Sequence, residues 1–479
     1  VTYCIDLDTN TMFDLNFLPK IELVKKLISS WSRRILTTAG RITVVKTLLI
    51  PKFSHLLMTL PSPPKEKLKE IENLLFNYIW NNKTARVAKN IICQSYEYSG
   101  MRMTCLDSFC KSLKITWIRR YFDNSCSSQW KHLIKDLIPD ISYLAIYGVD
   151  FYRKFKKDVK NAFWIDVFSA LSDLRLCIDN LTSVLSPVWY NQDICINNKS
   201  VCYRSWLKKG IQFVFDFYNT DGTLLGYHEF CTKFDLKTPF TLFFGVIDCI
   251  RKLHLNYDYD NIQRSQPFFP KFLQLITKSK QGGRDFYDVF INQKYRKPKS
   301  EIKWENILNL NVDNSWWKKQ NILFFKITND IQLRWFNYRI IHRILATNTF
   351  LCKIGITNTN LCSFCKIYPE TLCHLFWECE FVENIWENAL IWFKEQFGID
   401  ISLNKVDVLL GKYYKYYNIF NLIICIIKKH IYRSRSKNCK PSFERVKEEI
   451  VYYFHCEKHI YKKNGDMESF NKRWNLIMF

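Results

Sequence analysis

A mainly α fold with small mixed α/β portions follows from three features of the chain. Apolar residues recur at helical spacing over long stretches towards both ends, glycine and proline fall between those stretches, and strand-like alternation is confined to the middle. From Ile21, the residues Val24, Leu27, Ile28, Trp31 and Ile35 line one helical face, while Lys25, Lys26, Arg33 and Arg34 lie mostly outside it. That helix ends near Gly40. Ile42, Val45, Leu49, Phe53 and Leu56 repeat the pattern, and Pro51 is expected to kink or interrupt it because a proline removes one helical hydrogen bond. The turn PSPP at Pro61 opens a third helix with Leu68, Ile71, Leu75 and Ile79 on its inner face. Trp31 and Trp80 fall on these stripes and are expected in the core.

Further along, residues 86–94 have short extended character, and 106–121 return to helix with Lys111, Lys114, Arg119 and Arg120 outside. Short helices and strands mix from 124 to 257, with turn signals in NNKS at Asn197 and TDG at Thr220. Residues 277–304, with KSKQGGR and QKYRKPKSEIKW, are polar, basic and broken by glycine and proline, so they read as a linker or exposed turn. Helical pattern resumes through Trp316, Phe325, Leu333, Phe336 and Ile341, and a basic helical tail closes the chain. No tandem repeat or long low-complexity tract interrupts it.

A chain of 479 residues with 48% hydrophobic content has ample material for buried cores in two to four domains. Its formal charge of +25 makes nucleic acid the expected partner, because each phosphate neutralised by Lys or Arg releases condensed counterions. No membrane is expected: the best apolar run, 420–427, is eight residues long and contains Asn421. The 18 cysteines are scattered, only one group has ligand spacing, and no signal peptide leads the chain, which together suggest a reducing, intracellular setting in nucleus and cytoplasm. Val1 stands where an initiator Met would, and a fragment is expected.

The one group with ligand spacing is CSFCKIYPETLCHLFWEC. Cys362 and Cys365 form a CxxC pair, His374 follows nine positions later, and Cys379 five after that. A tight CxxC turn lets two thiolates reach one ion, and three Cys with one His close a tetrahedron around structural zinc, leaving no position for an activated water. Such a site contributes folding energy, since the unfolded chain lacks it. Two alternatives stay open: Cys373 in place of His374, or ordinary buried thiols with His374 capping a helix. Phe376 and Trp377 either pack the module or stack on a base, and His342 lacks ligand spacing and reads as packed or superficial.

No catalytic residues emerge. The strings YDYD at 257–260 and DFYD at 285–288 read as solvated loop, not as the paired carboxylates that hold two metal ions. KQGG lacks the spacing of a phosphate-cradling loop, and Pro139-Asp140 is too short to carry a nuclease assignment. Glu444, Glu448 and Glu449 could serve a nuclease only from an ordinary helix surface.

The stretch KLISSWSRRILTTAGRITVVKTLLIPKFSHLLMTLPSPP, followed by IENLLFNYIWNN, closely resembles the segment after the catalytic palm in reverse transcriptases of LINE-type non-LTR retrotransposons. Trp31, Leu36, Gly40-Arg41-Ile42, Lys46, Pro51-Lys52, Leu60-Pro61 and 76–80 carry the resemblance. Where that family pairs two glycines in the next turn, Ser99-Gly100 stands here. Similarity continues through PVWYNQDI at Pro187, WLKKGI at Trp206 and KWENIL at Lys303. It is strongest from LRWFNYRIIHRILATNTFLCKIGITNTNLCSFC to ETLCHLFWEC, and reaches IIKKHIYRSR.

The resemblance implies a thumb-like helical segment at 1–123 after a palm outside the chain, a mixed connector at 124–300, a reverse-transcriptase zinc-binding region at 301–400 and a basic helical tail at 401–479. It further implies a grip on template RNA and primer DNA during target-primed reverse transcription. Target-site DNA and the palm and fingers of the parent polyprotein would be partners. Zinc would be structural, and Mg²⁺ would serve only the palm, so this chain would not polymerise alone. Arg33, Arg34, Arg41, Lys46 and Lys52 would contact phosphates, and Cys362, Cys365, His374 and Cys379 would hold the metal. Arg433 and Arg435, interleaved with aromatics, also suit a nucleic-acid groove. The alternative is a host-retained or relic zinc scaffold.

Overall fold

The computed structural model of the chain describes residues 8–123, 125, 128–137, 161–178, 183–191, 193–255, 275–277, 282–398, 401–412 and 418–474, and in it the predicted stripe from Ile42 to Leu56 is buried, as are Ile71, Leu75 and Ile79. Of the first stripe only Val24 is buried and Ile35 is exposed; the helix ends at Ser32, and a new one, Thr38–Val44, takes in Gly40. Helices dominate. Among the described residues one sheet occurs, a hairpin of Cys195–Ile196 against Lys199–Ser200. Asn197 and Asn198 turn it with φ of 53° and 59°, the left-handed pair that a two-residue hairpin requires. YDYD and Pro139-Asp140 lie outside the described residues.

The chain forms two compact units, one of Val1–Lys26, Ile50–Asn73 and Cys105–Lys294, the other of Leu27–Leu49, Leu74–Thr104 and Tyr295–Phe479. It passes from one to the other within the helices Thr9–Ser32 and Lys65–Ile79. Residues 1–123 therefore contribute to both units. Pro51 opens a new helix, Pro51–Thr59, at the position where its missing N–H costs nothing.

In the first unit, helix Leu106–Phe122 packs against Ala162–Ile178 and Arg284–Gln293 around Ile115, Ile118, Phe168, Leu171 and Phe286. Two expectations change here. Residues 284–293, read as linker, are helical because Phe286, Val289 and Phe290 repeat at helical spacing and the two phenylalanines are buried. The DFYD string therefore lies in a packed helix, not in a loop. Lys114 and Arg119, expected outside, are buried. The Lys114 ammonium donates to Leu60 O, and burial pulls its pKa down to about 8. Arg119 donates to Gly282 O and Leu275 O at 2.6 and 2.8 Å, with its guanidinium 4.1 Å over the Phe286 ring. A second core gathers Trp189, Trp206, Phe217 and Phe230; the indoles donate to Ile211 O and Thr238 Oγ1, so no ring nitrogen is buried unpaired.

In the second unit the helix Asn418–Ser436 is the core itself. Most of its residues are buried, Lys428, His430 and Arg435 among them, and it is enclosed by Asn314–Ile327, Ile331–Ile341 and Phe443–Lys463. Its eight-residue apolar run is thus interior, and no single described helix is long and apolar enough to cross a membrane. Residues 86–94, read as extended, hold the helical turn Lys89–Ile92.

The Ser99-Gly100 turn is tighter than a single glycine suggests. A Cβ on Gly100 would lie 2.0 Å from Gln94 O, so only glycine fits. Ser99 takes the left-handed conformation, φ 61°, in the place where the resembling family has a glycine. Its neighbours explain how a serine is held there. Ser99 Oγ donates to the buried Glu301 Oε1 at 2.6 Å, while Ser99 O accepts from His342 Nε2 at 2.9 Å and from Tyr338 Oη at 3.2 Å. His342 is thus a packed histidine, and burial drives its pKa down to about 4.

Candidate metal centre

The metal-ligand candidates converge. Cys362 and Cys365 come from a turn closed by Lys366 N donating to Cys362 O at 3.1 Å, with Lys366 left-handed at φ 60°. Leu361 bridges Pro369, and Cys362 N donates to Tyr368 O at 2.7 Å, so the chain doubles back towards His374. His374 begins a wide helical turn, His374–Glu378, that Cys379 closes by donating its N–H to His374 O at 3.0 Å. The four ligand atoms lie within 4.8 Å of one another.

Distances test whether one ion fits. Tetrahedral Zn–S bonds of about 2.3 Å and Zn–N bonds of about 2.0–2.1 Å put two sulfurs about 3.8 Å apart and a sulfur and nitrogen about 3.6 Å apart. Cys362 Sγ and Cys379 Sγ are 3.9 Å apart, and Cys365 Sγ and His374 Nε2 are 3.3 Å apart. The cluster could hold zinc.

Charge is arranged accordingly. Cys362 and Cys379 share a thiol hydrogen bond, and with the N–H groups of Cys365 and Phe364 and the nearby His374 it holds the Cys362 thiol down at about 5 against burial. Cys379 is held far above the ordinary thiol range by the same bond and by burial. A divalent ion would take the place of the proton they share. Phe364 N–H also donates to Cys362 Sγ at 3.4 Å, the kind of bond that neutralises a thiolate in a metal turn. Four ligands close the shell, so the ion would staple the fold and offer no position to substrate. Cys373 is not in the cluster; its thiol is buried and pushed up by desolvation, with Glu378 raising it further. Phe376 is in the core and Trp377 packs against it.

Behind the ligands stands a second layer that sequence reasoning missed. Glu370 is fully buried; its Oε2 accepts from Ser363 N and Oγ at 2.9 and 2.7 Å, and its Oε1 accepts from Asn348 N at 2.8 Å and Arg435 Nε at 2.6 Å. Arg435 Nη2 also donates to Asn348 Oδ1 at 2.7 Å. Ser363 lies inside the CxxC turn, so one carboxylate ties that turn to the core helix Asn418–Ser436. A usable signal exists in the sequence: Ile424, Ile427, Ile431 and Arg435 share one stripe, which places Arg435 on the buried face.

The expected phosphate contacts divide. Arg33, Arg34, Lys46, Lys52 and Arg433 are exposed, and Arg34 lies 4.1 Å over the half-buried Trp31 ring. Lys46 is partly desolvated beside Arg102, which lowers its pKa. Lys52 belongs to the first unit, while the other exposed members belong to the second. Arg433 lies 3.5 Å from Glu449. Arg41 and Arg435 have other roles. Arg41 is buried and donates from Nη1 to Tyr78 O at 2.9 Å, capping the carbonyl end of Lys65–Ile79 where a cation also suits the helix dipole. Arg435 is engaged with Glu370. Both expectations are corrected for one reason: each guanidinium is already committed to a buried acceptor. The tail carboxylates form no metal group among the described residues: Glu449 also meets His430 at 3.1 Å, and Glu444 meets Lys447 at 3.0 Å.

The second unit is thus an α-helical domain with a Cys₃His cluster suited to structural zinc, set on a buried Glu–Arg pair. Residues 287–386 match the family described as zinc-binding in reverse transcriptase, and all four cluster residues fall inside the match. The carboxy-terminal region is therefore reverse-transcriptase-related.

Proposed function

We propose that this chain is the nucleic-acid-binding carboxy-terminal part of a LINE-type retrotransposon reverse transcriptase, which grips template RNA and primer DNA during target-primed reverse transcription. The observation that carries it is the coincidence of the reverse-transcriptase zinc-binding match with a closed four-ligand cluster near the carboxy-terminal end of the matched segment. The charge of +25 supports the partner class, because polyanion affinity follows neutralised phosphates. In this reading residues 1–123 serve as the thumb, zinc fixes the region around 362–379, and polymerisation belongs to a palm elsewhere in the parent. The experiment is metal analysis of the purified chain together with salt-dependent binding to an RNA/DNA hybrid. About one zinc per chain, with affinity falling steeply as salt rises, is expected. Absence of both zinc and hybrid binding would leave a zinc-free relic of the family and overturn the reading.

A further inference from the structure

Three stretches distant in sequence, 86–91, 296–303 and 342–354, wall an open groove of about 780 Å³ in the second unit. Arg86, Arg296, Lys299, Lys303 and Lys353 line it, all five are exposed, and no Asp or Glu lines it. Among the described residues no carboxylate pairs with any of the five. The groove also holds Lys297, paired with Glu305 at 2.6 Å, and Arg343, whose guanidinium is fixed 4.5 Å over the Trp304 ring. Folding alone has no use for five unneutralised cations around one concavity, since like charges repel. An anion is the missing component.

The wall between the cations is apolar. Ile91, Ile344, Phe350 and Ile354 face the same space, and Ile354 is 51% exposed. A duplex turns its bases inward and offers an outside of phosphate and sugar, to which an apolar wall contributes nothing. An unpaired strand exposes base faces beside its phosphates, and sites for such strands combine a basic groove with rings and apolar surface on which bases rest. Volume agrees: the cavity is within the range of about 300–1,000 Å³ of pockets that enclose small ligands, room for a few nucleotides.

We propose that this groove holds a short single-stranded stretch of nucleic acid, with phosphates on Arg86, Arg296, Lys299, Lys303 and Lys353 and base faces against Phe350 and Ile354. The inference rests on the reading that the chain binds nucleic acid and adds where and in which form. Six of the seven basic groups, Arg296, Lys297, Lys299, Lys303, Arg343 and Lys353, precede the cysteine cluster inside the segment matched to the reverse-transcriptase zinc-binding family. Only Arg86 comes from outside it.

The test is fluorescence anisotropy of the full chain with a ten-nucleotide oligo-dT and oligo-U across a salt series. One variant carries Arg86→Gln, Arg296→Gln, Lys299→Gln, Lys303→Gln and Lys353→Gln. A matched control carries Lys437→Gln, Lys440→Gln, Lys462→Gln, Lys463→Gln and Lys472→Gln, and circular dichroism and zinc content confirm that both fold. The groove variant is expected to bind more than about tenfold more weakly at physiological salt, with a log–log salt slope lower by about 3.5, five contacts at about 0.7 each. The control keeps most of its affinity. Equal losses in both variants, or none in the groove variant, would overturn the groove assignment while leaving nucleic-acid binding intact. Failure of the unaltered chain to bind any oligonucleotide or hybrid would overturn both. A duplex of equal length, or an oligo-glutamate of equal charge, that displaces oligo-dT as well as oligo-dT itself does would overturn the single-strand assignment, the second by showing an acidic-peptide site.

Discussion

Replacing Arg435 by methionine separates two roles that the same side chain could have. In the structure it is 9% exposed, its Nε lies 2.6 Å from the fully buried Glu370, and it has no face left for a phosphate. Arg435→Met retains the packing volume of the stem but leaves Glu370 charged, buried and held by three neutral donors, Asn348 N, Ser363 N and Ser363 Oγ. Breaking one side of a buried ion pair costs about 3–5 kcal/mol, a large share of the roughly 5–15 kcal/mol by which a domain is stable. Glu370→Gln should be comparably costly, because it leaves Arg435 buried without its counter-charge. The double variant should recover about 1–3 kcal/mol relative to the sum, since neither residue then leaves a bare charge. Urea denaturation of zinc-loaded protein gives the energies, and release of zinc to a chromophoric chelator reports on the Ser363 turn; the single variants should release it faster. Normal stability and zinc retention in Arg435→Met, combined with weakened oligonucleotide binding, would refute the structural role and restore the phosphate contact.

Three further perturbations test separate parts of the argument. Cys365→Ser should abolish stoichiometric zinc and loosen the segment 349–386, read by metal analysis and hydrogen exchange; unchanged zinc content would remove Cys365 from the ligand set. His342 has a folded pKa of about 4 against an ordinary value of 6.5, so the unfolded chain takes up its proton first and stability is lost as pH falls from 6.5 towards 4. Between pH 7 and pH 5 that loss is about 2 kcal/mol, and in His342→Gln the change over this interval should be smaller by the same amount; identical pH profiles would contradict the buried neutral ring. Gly100→Ala forces a Cβ to within 2.0 Å of the Gln94 carbonyl and should destabilise by more than about 1–3 kcal/mol, whereas Ser99→Gly relieves the left-handed serine and loses only its bond to Glu301. Equal stability of Gly100→Ala and the unaltered chain would mean that the turn is looser than described.

The parts legible in the sequence are those whose information is local. Cys362, Cys365, His374 and Cys379 span 18 positions, so spacing alone brought the ligands into one neighbourhood. The amphipathic stripes at Ile42 to Leu56 and Leu68 to Ile79 were legible for the same reason, since each helix declares its buried face within a few turns. Partnerships between distant residues were not legible. Glu370 and Arg435 are 65 positions apart and Arg41 and Tyr78 are 37 apart, and nothing in either neighbourhood announces the other. A basic residue therefore looked solvated or phosphate-bound by default, and Lys114, Arg119, Arg41 and Arg435 all proved to be interior cations with acceptors. The helix Arg284–Gln293 was hidden differently: KQGG and the basic run around it set the local composition, while its burial rests on Phe286 and Phe290 meeting the helix Leu106–Phe122 from far along the chain.

The same distinction separates structural from recognition charge in the second unit. Interior cations here have a carbonyl or carboxylate within hydrogen-bond distance and were placed by folding, so their removal should register in stability. The five exposed groove cations have no carboxylate partner among the described residues, Arg296 reaching only the neighbouring Tyr295 O at 2.8 Å, and their removal should register in ligand affinity and its salt dependence. Arg343 stands between the classes: it lines the groove, yet burial lowers its pKa and the Trp304 ring holds its guanidinium. It is therefore a fixed source of positive potential beside the exposed lysines. Such a charge contributes to affinity without the entropy loss of ordering a side chain on binding, which lysine contacts incur. Neutralising Arg343 should consequently affect both stability and affinity, whereas neutralising Lys299 or Lys353 should affect affinity alone.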